Sequence, residues 1–337
     1  MTATLFFGAL LGVNMKQKYQ ISFSGGRTSA YMTKMLIDHF SDRYDFIVTF
    51  ANTGLEHEKT LEFVNNCDKY FGFNTVWLEA DVQHETRRST QHKIVSFETA
   101  SRNGEPFHEM IKKYGIPNPS YLHCTRELKL NVMQSYLKSI GIDYKKIPTA
   151  IGIREDETRR VNKKANDVGI TYPLIDLFPS DKQDILNWWS FQKFDLGIDE
   201  WDGNCKGCFK KSFKKIFKQL DSDPSILDFH IEMEGKYPQV GSKDPYYKNI
   251  YDMDDVDIAD KEARHDFDPI DNPKPKPKFI ERILVQQPDR VFFRGQTSAK
   301  KLHEMYLEYK AKPDYEDLQL SIFDGGCSGS CEVYSCS

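Results

Sequence analysis

The 337-residue chain carries 46 Lys and Arg against 50 Asp and Glu, a formal net charge of -4, so no global basic field announces a nucleic-acid binder. It is long enough to bury a sizeable core, as one large α/β domain with additions or as two modest domains, and needs no structural metal to fold. Seven cysteines, an odd number without the dense spacing of small secreted domains, argue for reduced thiols and a cytoplasmic protein.

The apolar stretch Leu5–Val13 is too short to span a bilayer and follows no basic residue. Residues 1–14 therefore read as an upstream extension before Met15, with a docked amphipathic segment as the alternative, and no membrane partner is expected. Next come the strand-like Tyr19–Phe23, the turn Ser24-Gly25-Gly26-Arg27-Thr28-Ser29, and a helical spacing of Tyr31, Met32, Met35, Leu36, His39 and Phe40. Thr28 or Ser29 is placed to cap that helix. A strand, a glycine turn and a helix start aim backbone N–H groups and the positive end of a helix dipole at an anion. The turn fits neither GxxxxGK[ST] nor GxGxxG, so it is a different phosphate cradle, or else an ordinary surface turn.

Strand patterns recur at Tyr44–Asn52, Asn74–Ala80 and Ile147–Ile153, with a helical stretch over residues 59–71. The alternation predicts an α/β, Rossmann-like parallel sheet with helices on both faces, followed by a helical and irregular C-terminal extension. Ligands of such sheets sit beyond the carboxyl ends of the strands. Three segments follow those ends: Ser24–Ser29, Asn52-Thr53-Gly54, and Arg154–Arg160, the last alternatively a solvated loop of surface ion pairs. The expected organisation is an α/β domain over 15–225, an acidic and Pro-Lys-rich insertion or linker over 226–280, and a segment over 281–337 ending in a Cys-rich tail.

Cys205 and Cys208 form a CxxC whose spacing lets both sulfurs face one metal or iron-sulfur centre, with Cys124 as a further ligand. Zinc and inert thiols are the alternatives. Cys67 reads simply as a helix residue. After the CxxC, Phe209, Phe213, Ile216, Phe217 and Leu220 make an apolar helical face, and the lysines between Lys206 and Lys218 cover the rest. That stripe either guides a nucleic-acid strand or is a solvated helix face.

These residues together resemble a known group. SGGRTS is similar to an SGGxxS loop; Asn52-Thr53-Gly54 with Thr60 stands where a DTG and a following Thr are found; Gly152-Ile153-Arg154 to Glu157 resembles a GIRxxE segment. With Cys124-Thr125-Arg126-Glu127 and the CxxC, they resemble the PP-loop ATP pyrophosphatases, in particular the phosphoadenosine phosphosulfate (PAPS) reductase-like adenine nucleotide alpha hydrolases. Asn52 replaces the acidic residue, which is displaced to Glu58.

The resemblance implies an adenine nucleotide, ATP or the sulfonucleotides PAPS and APS, with phosphates on Gly25–Ser29, the Ser24 and Ser29 hydroxyls, Arg27 and Arg154, and usually with Mg2+. It implies attack of an acceptor oxygen on the α-phosphate and release of pyrophosphate. It further implies a 4Fe-4S cluster on Cys124, Cys205 and Cys208, and sulfur installed in a nucleic acid or nucleotide with help from a sulfur-donor or reductant protein. Cys327 and Cys331 hold the position of a catalytic cysteine near a mobile C-terminus, with a cluster-ligating role or an inert terminus as the alternatives. Two other readings stay open: a sulfonucleotide reductase that releases sulfite, and a non-catalytic nucleotide- or metal-binding module.

Overall fold

The computed structural model describes residues 16–85, 87–203, 205–240, 247–249, 282–284 and 289–312. The expected extension over 1–14, most of the 226–280 segment, and the tail with Cys327 and Cys331 lie outside the described residues.

Strands β1 (Gln17–Ser22), β2 (Tyr44–Ala51), β3 (Val76–Asp81), β4 (Gln91–Val95), β5 (Thr149–Ile151) and β6 (Ile170–Thr171) form one sheet in the order β4-β3-β2-β1-β5-β6. Neighbours run parallel except β3 and β4, which are antiparallel. The sheet is thus mixed and mostly parallel. Central strands carry apolar runs because both faces are covered, whereas β4 is an edge with Ile94 61% exposed and no apolar run to betray it. A separate antiparallel pair joins β7 (Tyr247–Asn249) to β8 (Arg282–Leu284).

Helices α1 (Arg27–Phe40), α2 (Glu58–Phe71) and α7 (Lys182–Ser190) share a core with β1 and β2 through Ile21, Phe23, Met32, Leu36, Phe50, Leu61, Phe63 and Trp189. On the other side, α5 (Asn131–Ser139) packs Val132 and Met133 on Ala51 and Leu78. The chain enters α5 from the short α4 (His123–Thr125) through a π-helical turn, Arg126–Leu130. A second core gathers α3 (Glu105–Tyr114), α8 (Phe213–Ser222), α9 (Asp228–Lys236) and α10 (Ala299–Lys310; α6 is the single turn Pro173–Asp176) around Met110, Ile111, Ile216, Phe217, Leu220 and Phe292. Each such side chain contributes roughly 1.5–3 kcal/mol by leaving water. No helix among the described residues is long and apolar enough to cross a membrane.

Candidate functional site

After β1, the Phe23 N–H donates to Thr49 O at 2.9 Å and the chain turns through Ser24–Gly26 into α1. Gly25 has φ +78°, and a Cβ there would lie 2.9 Å from Thr60 Cγ2 and 3.1 Å from Phe50 Cε2. Both the dihedral and the space require glycine. Gly26 is the N-cap of α1, with no side-chain cap. The expected capping by Thr28 or Ser29 is therefore corrected: the helix starts at Arg27, and both hydroxyls lie within its first turn. Ser29 Oγ donates to Gly26 O at 3.1 Å, accepts from the Ser24 N–H at 3.3 Å, and pairs with Ser24 Oγ at 2.9 Å. A helix start without a side-chain cap, carrying the dipole's positive end and flanked by two hydroxyls, suits an anion. Gly152, just past β5, packs against it so closely that a Cβ would stand 3.0 Å from Ser29 Cα.

Arg154 reaches this cradle, with Nη1 3.4 Å from Thr28 Oγ1. Asp156 holds it by Nε–Oδ1 at 2.8 Å and Nη2–Oδ2 at 3.1 Å, and Glu157 Oε2 is 3.5 Å from Nη1. Burial disfavours the guanidinium charge, but Asp156 and Glu157 outweigh it and raise the pKa above the usual arginine value. Glu157 also binds the buried Arg160 at 2.6 Å, so this arginine belongs to an internal network rather than a solvated loop. Arg27 is engaged elsewhere: Nε and Nη2 clasp Asp195 at 2.7 and 2.6 Å, and Trp189 Nε1 donates to the Arg27 carbonyl at 3.0 Å.

Asn52 is fully buried at the carboxyl end of β2, where its amide donates to Glu79 Oε1 at 2.7 Å and to Ser101 O at 2.9 Å. Its Oδ1 accepts from the Gly54 N–H at 3.1 Å. Glu79, 1% exposed, also accepts from the Ser101 N–H and hydroxyl at 2.6 and 2.9 Å. The acidic group beside residue 52 is thus Glu79 on β3, not Glu58, which pairs with Arg102 at the surface. An amide is needed at 52 because it donates to a carboxylate already there. Sequence reading also missed Glu56. Its buried carboxylate accepts from the Thr53 N–H at 2.9 Å and the Thr53 hydroxyl at 2.9 and 3.0 Å.

Glu56 ties this loop to the CxxC segment. Cys205 Sγ is 3.3 Å from Thr53 Oγ1 and 3.7 Å from Glu56 Oε1, and the Lys206 N–H donates to Leu55 O at 2.7 Å. Cys124, Cys205 and Cys208 line one cavity of about 20 Å³ with Lys129 and His230, so the distant Cys124 is brought to the CxxC. Burial and then the Glu56 charge push the Cys205 thiol well above its ordinary value. Lys211 is buried as well, donating Nζ to Cys205 O at 3.1 Å, and burial lowers its amine to about 8.

Among the described residues no group of three or more His, Cys, Asp or Glu side chains is placed to hold a metal. The Glu56 carboxylate 3.7 Å from Cys205 Sγ favours the thiol there over the thiolate that a metal ligand needs. The lysine stripe is corrected too. The helix begins only at Phe213; Lys211 is buried, Lys206, Lys210 and Lys215 are half-buried, and Lys214 and Lys218 alone of the six are exposed.

His230 packs against the CxxC turn, where a Cβ on Gly207 would be 2.6 Å from its Cε1. Burial first, then Lys211, lower its pKa from 6.5 to about 3. The unfolded chain takes up this proton below about pH 6.5 and the folded chain does not until near pH 3, so stability falls as pH drops through that window. The expected loss between pH 7.5 and 5 is about 2 kcal/mol. Urea denaturation of wild type and His230→Phe at both pH values checks this: the variant should lose about that much less, and equal slopes would refute the assignment.

The geometry agrees with comparisons to known proteins. Residues 18–179, which contain the cradle, Asn52-Thr53-Gly54 and Arg154, match the phosphoadenosine phosphosulfate reductase domain. The chain is similar to an uncharacterized nin region protein of Escherichia phage lambda, 29% identical over 320 residues that cover 93% of this chain and 94% of the relative. It is also similar to an uncharacterized protein of Methanocaldococcus jannaschii, 27% identical over 253 residues that cover 72% of this chain and 51% of the relative. The matched family is generally enzymatic and binds adenine nucleotides. A glycine cradle between β1 and α1, an arginine delivered to it from beyond β5, and the family match agree: residues 18–179 match the PAPS reductase-like family of the PP-loop superfamily.

Proposed function

We propose that this chain binds ATP with its polyphosphate over the start of α1 and transfers the adenylyl group to an acceptor oxygen. The acceptor oxygen bonds to the α-phosphorus, the bond from that phosphorus to the bridging oxygen breaks, and pyrophosphate leaves with the electron pair. The acceptor proton passes to solvent. The observation that carries this reading is the cradle, with Gly25 packed too tightly for any side chain, Gly26 leaving α1 without a side-chain cap, and Arg154 beside Thr28. Backbone donors and a fixed guanidinium stabilise the charge that develops on the leaving pyrophosphate. Asn52 offers an amide and no carboxylate at the end of β2, so a magnesium ion would have to come as the nucleotide's own chelate.

Calorimetry with ATP and an assay for pyrophosphate release test this reading. Binding of ATP and pyrophosphate formation are expected; an intact chain without affinity for ATP rules it out. The family description favours a second reading, in which PAPS or APS occupies the same cradle. Sulfite release without ATP consumption would select it, and binding without any turnover would select a nucleotide-binding module.

A further inference from the structure

Arg27 stands at the first position of α1, and the side chains of a helix lean toward its N-terminal end, so this guanidinium belongs at the mouth of the anion cradle. The first turn of α1 carries no acidic side chain of its own. The carboxylate that holds Arg27 comes instead from far along the chain. Asp195 takes Nε and Nη2 at 2.7 and 2.6 Å, the two-pronged geometry with which an arginine also grips a phosphate.

Asp195 is delivered by the segment over 191–200, which leaves α7 and is anchored on both sides of the carboxylate. Before it, Phe194 packs on Phe63, Tyr70, Phe71 and Trp189 with ring centroids 5.2–5.7 Å apart. After it, Leu196 is buried, and Gly197 O accepts from Lys59 Nζ, in the first turn of α2, at 2.9 Å. Arg27 beside it holds the Asp195 carboxyl below the usual carboxylate range, so it is ionised at neutral pH.

The pair is nevertheless open to exchange. The Arg27 side chain is 24% exposed and that of Asp195 43%, and an ion pair in contact with water contributes little to folding. Arg154, by contrast, is gripped by Asp156 and touched by Glu157, and so is the fixed cation of the cradle. We propose that Asp195 is an internal stand-in for a ligand phosphate: it occupies Arg27 in the ligand-free chain, and an incoming polyphosphate takes the guanidinium from it. One bidentate pair is traded for another, the more highly charged anion wins, and Asp195 is left facing water. The contact thereby sets the affinity of the site. This rests on the adenylyl-transfer reading for the identity of the nucleotide and adds a built-in competitor to it.

Calorimetry of ATP, and separately of inorganic tripolyphosphate, with the full chain tests the exchange. Asp195→Asn, which keeps the shape and removes the charge, should bind both roughly 3- to 10-fold more tightly than wild type, and Asp195→Ala should do the same. With Arg27→Ala already in place, Asp195→Asn should alter affinity less than about 2-fold, because no guanidinium is left to release. Asp199→Asn, an equal change of charge on the same segment, should also stay within about 2-fold. Unchanged or weaker binding of both anions in the two Asp195 variants overturns the proposal. So does a gain that persists in full beside Arg27→Ala, which would reduce Asp195 to a source of general repulsion. If no protein binds ATP while Asp195→Asn still tightens tripolyphosphate, the adenylyl-transfer reading falls and the exchange stands. If neither anion binds any of them, both fall.

Discussion

Gly26→Asp is expected to keep or raise thermal stability while abolishing ATP binding. Gly26 sits in extended backbone, φ -103° and ψ 161°, and a Cβ there meets nothing nearer than Ser24 Oγ at 3.8 Å. Aspartate is a better N-cap residue than glycine, so the helix should gain about a few tenths of a kcal/mol. The same carboxylate would stand where the polyphosphate must lie, and like-charge juxtaposition of several kcal/mol weakens affinity by more than about 100-fold. Gly25→Ala should behave differently, because φ +78° and the 2.9 Å approach of Thr60 make it destabilising by roughly 2–3 kcal/mol. Thermal melts and calorimetry on both variants separate binding from folding. Unchanged ATP affinity in a folded Gly26→Asp protein would remove the cradle from the mechanism.

Asn52→Asp should be strongly destabilising. The amide now donates to Glu79 at 2.7 Å and to Ser101 O at 2.9 Å, and the variant replaces both donors with a second buried carboxylate. Breaking a buried polar pair in this way costs about 3–5 kcal/mol. The loss should shrink at acid pH, where one of the two carboxyls can hold a proton and donate. Adding Glu79→Gln should recover a large part of it, because a glutamine amide can donate to the introduced carboxylate. A double-mutant cycle by urea denaturation at pH 7.5 measures the coupling. Near-additive effects would mean that the two side chains do not depend on each other.

The strand, turn and helix at residues 17–40 were legible because they are local: an apolar run, a glycine with no space for a side chain, and a helical spacing. Arg154 was legible for a topological reason. Parallel β1 and β5 are neighbours, so the segments after their carboxyl ends share one rim of the sheet. The edge strand β4 was not legible, because Gln91-His92-Lys93 reads as polar loop and its pairing with β3 is set by tertiary contact. Nor were Glu56 and Glu79, whose burial depends on partners such as Cys205 and Ser101, far away in sequence. The lysine stripe misled because alternating Lys and apolar residues suggest a continuous amphipathic helix. The chain instead folds Lys211 inward against the Cys205 carbonyl before α8 begins.

The family-matched stretch ends at residue 179, yet Phe107, Met110 and Ile111 of α3 share one core with side chains from far beyond it, among them Ile216, Phe217, Phe292 and Leu302. Cutting the polypeptide there would strip Phe107, Met110 and Ile111 of their cover and leave a sticky apolar scar. The segment that defines the family is therefore a portion of a larger cooperative unit, and a truncated version should precipitate rather than report on nucleotide chemistry.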